Sequence, residues 1–191
     1  MRDYDDALRM DPNDSSAHYN LGLIDEQIGD RPRAIAEYTG AIRTQPDNAD
    51  AYLRRGVLFL DAGRFDQAVT DFTRVHELRP KDPWSLANRG ISYAWLHASE
   101  KAERDFAAVR AIDPANPVLL RGEALLDINA GNLKAAIGNL TAALKIDPRD
   151  AWSLRMRAQV FKQLGNYENF RADEQQLNRM STISTGKVAH G

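Results

Sequence analysis

A period of 34 residues runs through most of this chain of 191 residues. Five prolines keep this interval: Pro12, Pro46, Pro80, Pro114 and Pro148. Four other classes of residue share it: the acids or amides Asp14, Asn48, Asp82, Asn116 and Asp150; the small residues Gly22, Gly56, Gly90, Ala124 and Ala158; the alanines Ala34, Ala68, Ala102 and Ala136; and the rings Tyr4, Tyr38, Phe72 and Phe106. A fixed period of this length predicts stacked copies of one supersecondary unit.

Each recurring class has a role in a pair of helices. A proline cannot continue a helix, so it ends the second helix of one unit. The Asp or Asn two residues later is a favourable N-cap for the next helix. The small residues are placed where two helices approach closely, and the rings fill the space between repeats. Apolar residues recur at helical spacing, as in Leu21, Ile24 and Ile28.

Short turns join the two helices of each unit. The stretches "LDAGRF" at 60–65 and "INAGNL" at 128–133 carry the glycine of such a turn. In the third unit, His97 replaces the glycine and Ser99 replaces the residue after the turn that is usually aromatic. We therefore expect this turn to be irregular.

The segment "AYLRRGVLFLDAGRFDQAVTDFTRVHELRP" at 51–80 resembles the tetratricopeptide repeat, whose signature is 34 residues long. The resemblance extends from about Met1 to Met180. It implies an all-α fold, a right-handed superhelical α-solenoid of helix–turn–helix repeats. Arg55 and Arg89 stand where the family pattern favours leucine, so we expect their aliphatic stems to pack in its place.

The period divides the chain into units. Residues 1–14 hold the second helix of an incomplete N-terminal repeat; full repeats occupy 15–48, 49–82, 83–116 and 117–150; a degenerate repeat with a C-terminal capping helix occupies 151–180; and 181–191 is expected to be a disordered tail. Glu174 at the ring position suits a helix that no later repeat covers. Because half a repeat cannot bury its own apolar face, we expect this chain to be a piece of a longer protein. The alternative is that the native protein begins with a lone capping helix.

Composition narrows the classes of function. The net charge of −2 gives no overall attraction to nucleic acid or anionic lipid. No apolar stretch approaches the roughly 18 residues of a membrane span. The absence of cysteine excludes disulfides, thiolate catalysis and cysteine metal sites. It leaves the compartment, cytoplasmic or periplasmic, undetermined.

No catalytic, cofactor or metal motif is present in the sequence. His18, His76, His97 and His190 do not form an i, i+4 pair or a metal motif with carboxylates. The stretch "STGK" at 184–187 lacks the flanking glycine, strand and helix of a phosphate loop. We therefore predict no cofactor and no enzyme activity.

The resemblance implies a concave groove lined by the first helix of each repeat. The places that face it in the family correspond here to Tyr19, Leu23, Leu53, Val57, Leu60, Trp84, Ile91, Arg121, Leu125, Trp152 and Arg155. The groove is expected to be acidic at its N-terminal end (Glu26, Asp50, Asp61), apolar in the middle, and basic at its C-terminal end (Arg121, Arg155, Lys162). An apolar strip rimmed by charge is typical of an interaction site.

Two tryptophans occur in identical "WSL" stretches at 84–86 and 152–154, each opening the first helix of a unit. Trp is over-represented among binding hot spots, so Trp84 and Trp152 are candidate anchors, with Trp84 favoured. Alternatively, each ring covers the preceding turn.

The sequence thus predicts a non-catalytic protein–protein interaction module, a scaffold or adaptor. Its partner would be a peptide or helix with an apolar centre and an acidic or carboxylate end near Arg121 and Arg155. The Lys and Asn clamp with which some relatives grip chaperone tails is absent, since Tyr19, Leu23 and Trp84 occupy clamp places. The alternatives are self-association into a homodimer and an accessory domain of a larger protein whose enzyme part lies upstream.

Overall fold

The computed structural model describes the backbone of residues 8–186 and the side chains of residues 8–181, and within that range every regular element is a helix. A helical segment at 8–10 precedes ten complete helices. These are α1 (Ser15–Ile28), α2 (Arg31–Thr44), α3 (Ala49–Asp61), α4 (Phe65–Leu78), α5 (Pro83–Trp95), α6 (Ser99–Ile112), α7 (Pro117–Asn129), α8 (Leu133–Ile146), α9 (Ala151–Gln163) and α10 (Tyr167–Gly186).

The helices pack as five successive pairs, here called units one to five, from α1–α2 to α9–α10. Each pair packs mainly against the pairs before and after it in the chain. This arrangement of contacts defines an all-α repeat solenoid, which confirms the predicted fold class. None of the helices in residues 8–186 combines the length and apolar character needed to cross a lipid bilayer.

The first helix of every unit begins at the predicted acid or amide. The side chains of Asp14, Asn48, Asp82, Asn116 and Asp150 each accept a hydrogen bond from backbone N–H groups in the first turn. Asp14, for example, accepts from Ser16 and Ala17 at 2.9 and 3.0 Å. A cap of this kind contributes about 1 kcal/mol of helix stability.

Close contact between the two helices of a unit explains the recurring glycine. A Cβ added at Gly56 would lie 2.8 Å from a ring carbon of Phe72, and one at Gly90 would lie 2.4 Å from Phe106. Phe72 and Phe106 are buried. In units four and five, alanine stands at the position of the recurring glycine. Leu140 and Glu174 stand at the position of the aromatic ring in these two units. Glycine therefore occurs where the facing residue is a ring.

Three arginines form buried ties between helices. Arg55 donates to both carboxylate oxygens of Asp71 at 2.8 and 2.7 Å, and its third nitrogen donates to Thr39 of the preceding unit at 2.9 Å. The same set recurs as Arg89 with Asp105 and Thr73, and as Arg157 with Asp173 and Thr141. The expectation that Arg55 and Arg89 act through their aliphatic stems was therefore incomplete, because each guanidinium also links three helices.

The turn at His97 keeps the geometry of the glycine turns, so the expectation of an irregular turn is wrong. His97 has a φ of 56°, and Gly29, Gly63, Gly131 and Gly165 have φ values of 71–83° at the equivalent places. The tight connection between paired helices requires the left-handed conformation whichever residue stands there.

The last helix extends to Gly186, past the expected end at residue 180. No glycine or proline stands between Met180 and Gly186, so nothing in that stretch stops the helix. Residues 187–191 of the expected disordered tail, and residues 1–7 of the expected incomplete repeat, lie outside the described part of the chain.

Candidate binding cleft

The first helices of units two to five line a cleft of about 470 Å³. Its lining consists of Arg31, Val57, Leu60, Asp61, Gly63, Phe65, Asn88, Ile91, Trp95, Arg121, Trp152 and Arg155. Residues from all five units meet here because stacking places equivalent helices side by side. One cleft thus combines contributions from units that are far apart in the sequence.

Some of the predicted groove residues lie in this cleft and some do not. Val57, Leu60, Ile91, Arg121, Trp152 and Arg155 are in its lining. Tyr19 and Leu23 pack instead against a buried cluster that contains Tyr38, and Leu53 packs against Phe59 and Phe72. These three side chains are partly buried between helices.

Leu125 was predicted to face the groove, and the structure instead buries it. Its exposed fraction is 1%, and it belongs to the same buried cluster as Phe106 and Leu119. Helix α7 packs closely on unit three, because Gly122 leaves room for the ring of Phe106; a Cβ there would lie 2.2 Å from that ring. The close approach covers Leu125, so this residue is not available to a partner.

The two tryptophans have different surroundings. Trp152 is half-buried, packs against the central cluster, and has the Arg121 guanidinium 6.0 Å from its ring centroid. Trp84 is 48% exposed and does not line the cleft. The structure thus places Trp152 at the cleft, although the sequence favoured Trp84.

A stacked aromatic pair also lines the cleft. The rings of Phe65 and Trp95 stack with centroids 5.5 Å apart and planes within 4°. Phe65 opens the second helix of its unit, so a search restricted to first helices missed it. Its position in the repeat could have indicated it. The equivalent residue of unit one, Arg31, also lines the cleft.

The acidic residues expected at the N-terminal end are paired with arginines. Asp61 lies 3.3 Å from Arg31, and Glu26 lies 3.9 Å from Arg54. Asp50 receives two hydrogen bonds of 2.8 Å from Arg79, which hold the pKa of its carboxyl below the usual value. This end therefore carries little uncompensated negative charge, contrary to the expected gradient.

The basic end retains positive charge. Arg121 lies 3.7 Å from Asp150, and its buried Nε has no hydrogen-bond partner. Arg155 is exposed and makes no ion pair within the described residues. Lys162 lies near the ring of Phe170 and is not part of the lining. The excess charge at the cleft thus comes from Arg121 and Arg155.

The described residues offer no group of three or more His, Cys, Asp or Glu side chains suited to a metal ion. His18, for example, contacts Glu37 at 2.8 Å and fills the space above Gly40. This histidine therefore has a packing role between α1 and α2.

Comparison with known proteins agrees with the repeat solenoid. Residues 24–83 match a family model described as a tetratricopeptide repeat. This part of the chain therefore carries the tetratricopeptide repeat. Comparison with curated proteins gives no significant match.

Three solved structures illustrate the likeness. A tetratricopeptide repeat protein from Parabacteroides merdae is 23% identical with a TM-score of 0.73, over 92% of this chain and 70% of that one. The APC/C hetero-tetramer Cut9–Hcn1 is 17% identical with a TM-score of 0.80, over 94% of this chain and 36% of that one. YrrB, described as a TPR protein with an unusual peptide-binding site, is 16% identical with a TM-score of 0.59, over 91% of this chain and 90% of that one. At these identities the likeness shows the fold.

Proposed function

We propose that this protein is a non-catalytic interaction module that binds a peptide or helix of a partner protein in the cleft. The partner segment places an apolar side chain between the Phe65–Trp95 stack and Trp152. It places an acidic side chain or a terminal carboxylate at Arg121 and Arg155. The observation that carries the proposal is the union of an aromatic wall with two incompletely paired arginines in one concave site.

The chemistry of the lining supports this partner. Tryptophan and arginine are the residue types most often found at binding hot spots. A guanidinium binds both oxygens of a carboxylate in a bidentate geometry, and the partly buried setting of Arg121 strengthens such a bond. The peptide-binding site attributed to YrrB is a precedent for a peptide ligand on this fold.

The test starts from a library of random peptides displayed on phage, selected against the wild-type protein. Selected peptides are then titrated against Trp152→Ala and against the double variant Arg121→Gln, Arg155→Gln. We expect enrichment of acidic residues or free carboxyl ends, and a loss of affinity of about tenfold or more in both variants. The matched control is Arg104→Gln, an arginine of α6 that is outside the cleft and whose side chain is 75% exposed.

Equal affinity of the selected peptides for wild type and both cleft variants would refute the proposal. A second outcome would replace it: no peptide is selected, and light scattering shows a mass that rises with protein concentration. In that case the cleft serves self-association into a homodimer.

A further inference from the structure

The set of hydrogen bonds from an arginine to an aspartate and a threonine, here called the tie, is missing at one junction between units. The tie is present between units one and two, units two and three, and units four and five. At each of these junctions the arginine guanidinium lies between three helices, and the aspartate that it binds is no more than 7% exposed. At the junction of units three and four, the places of Arg, Asp and Thr hold Glu123, Asn139 and Ala107. All three members of the set are lost together.

A weaker and more exposed contact takes its place. Arg110, at the end of α6, pairs with Glu123, and their side chains are 56% and 23% exposed. Asn139 turns to Asp127 of its own unit at 3.0 Å. An ion pair this open to solvent contributes about 1 kcal/mol or less, so little charge pairing holds α6 to α7.

A pocket open to solvent lies where the guanidinium is missing. It has a volume of about 360 Å³ between α6 and α7, and Phe106, Ala107, Arg110 and Glu123 are among its lining residues. The tied junction of units four and five has a smaller cavity of about 210 Å³, and Arg157 contributes to its lining. The junction of units three and four therefore lacks the tie and has the larger of the two pockets on this side.

The other side of the same junction is closed. Asn129 donates to the backbone carbonyl of Ala94 at 2.9 Å, which joins α7 to α5. Gly122 of α7 meets the ring of Phe106 without a gap. The buried cluster that joins Phe106 and Val109 to Val118 and Leu119 lies on the packed side, so rotation at this junction would pivot about that cluster and change the width of the open side.

We propose that the junction of units three and four is the hinge of the solenoid, and that rotation there changes the width of the cleft. The cleft spans this junction: Leu60, Phe65 and Trp95 lie before it, and Arg121, Trp152 and Arg155 lie after it. The two chemical halves of the cleft therefore move relative to each other. The inference does not depend on what the cleft binds.

The test measures distance distributions between spin labels across successive junctions. The chain has no cysteine, so pairs of introduced cysteines are labelled uniquely. The exposed, equivalent positions Gln67, Lys101, Ala135 and Asn169 give three pairs, each spanning one junction. We expect the 101–135 pair to give a broader distribution than the 67–101 and 135–169 pairs. Equal breadth at the three junctions would overturn the proposal.

A graft of the tied junction provides the second test. The substitutions Ala107→Thr, Arg110→Leu, Glu123→Arg and Asn139→Asp copy Thr141, Leu144, Arg157 and Asp173 of the next junction. We expect the extra breadth of the 101–135 pair to be lost while the other two pairs stay unchanged. If the grafted protein is equally helical and the distribution stays broad, the missing tie is not the cause of the motion and the proposal fails.

Discussion

His97 shows the cost of departing from the repeat pattern at one place. Its φ of 56° lies in the left-handed region, where an L side chain is strained and glycine is not. The side chain is exposed and makes no hydrogen bond or ion pair with the described residues that would offset the strain. The tight turn between α5 and α6 imposes this backbone geometry on the residue.

We therefore expect His97→Gly to raise the free energy of unfolding by about 1 kcal/mol, since it removes the strain at little loss of contact. The matched reverse change, Gly131→His, should lower it by a similar amount at the equivalent turn of unit four. Urea denaturation followed by circular dichroism measures both. A destabilised His97→Gly protein would show that this side chain has an unrecognised structural role.

Within a unit, the two helices approach as closely as the residue pair between them allows. Gly56 faces the buried ring of Phe72, whereas the equivalent places in unit four hold Ala124 and Leu140. The interior is packed to crystal-like density, so one added methyl group must displace a neighbour. A ring at the facing position therefore requires glycine opposite it.

We expect Gly56→Ala to lower the free energy of unfolding by about 1–3 kcal/mol through overpacking against Phe72. Adding Phe72→Leu should recover part of that loss, so that the double variant is less destabilised than the sum of the single changes. Thermal and urea unfolding of the four proteins in the cycle measure the coupling. Strict additivity would show that the ring and the added methyl do not compete.

Gly138 is the control for this cycle. It lies on the exposed face of α8, and a Cβ there would meet nothing within 4 Å. Gly138→Ala should therefore stabilise the protein by about 1 kcal/mol through helix propensity alone.

Along the solenoid, each unit is held by its neighbours and not by distant parts of the chain. Successive units supply the packing contacts, and the buried arginine ties reach only from one unit to the one before. Stability in such an array is approximately a sum of terms for units and for the interfaces between them. A local defect should therefore remain local.

We expect Arg157→Met to unfold the C-terminal end selectively, because it leaves the carboxylate of Asp173 buried without its partner. The cost should be about 3–5 kcal/mol. Hydrogen exchange should accelerate strongly in α9 and α10 and little in α1–α4. Uniform acceleration along all helices would show that the protein unfolds as a single cooperative unit.

The cleft illustrates where prediction from sequence ends. The repeat map pointed to first helices, because the 34-residue period reports which helix is equivalent to which, whereas Arg31 and Phe65 of second helices also line the cleft. Whether a given place is open or buried depends on how tightly each unit packs on the next. Ile91 and Leu125 hold equivalent places and are both buried, yet Ile91 lines the cleft and Leu125, covered where Gly122 meets Phe106, does not.

Local signals were sufficient for the helix pairs and the caps, since each depends on residues close in the chain or repeated in every unit. The arginine ties were also written in the sequence, as Arg, Asp and Thr that are lost together in unit four. They could be interpreted only once antiparallel packing had brought residues 16 positions apart into contact. Ion pairs such as Asp50 with Arg79, 29 positions apart, likewise depend on the stacking of neighbouring units. Charge at the cleft is therefore set by tertiary pairing, which composition and period do not encode.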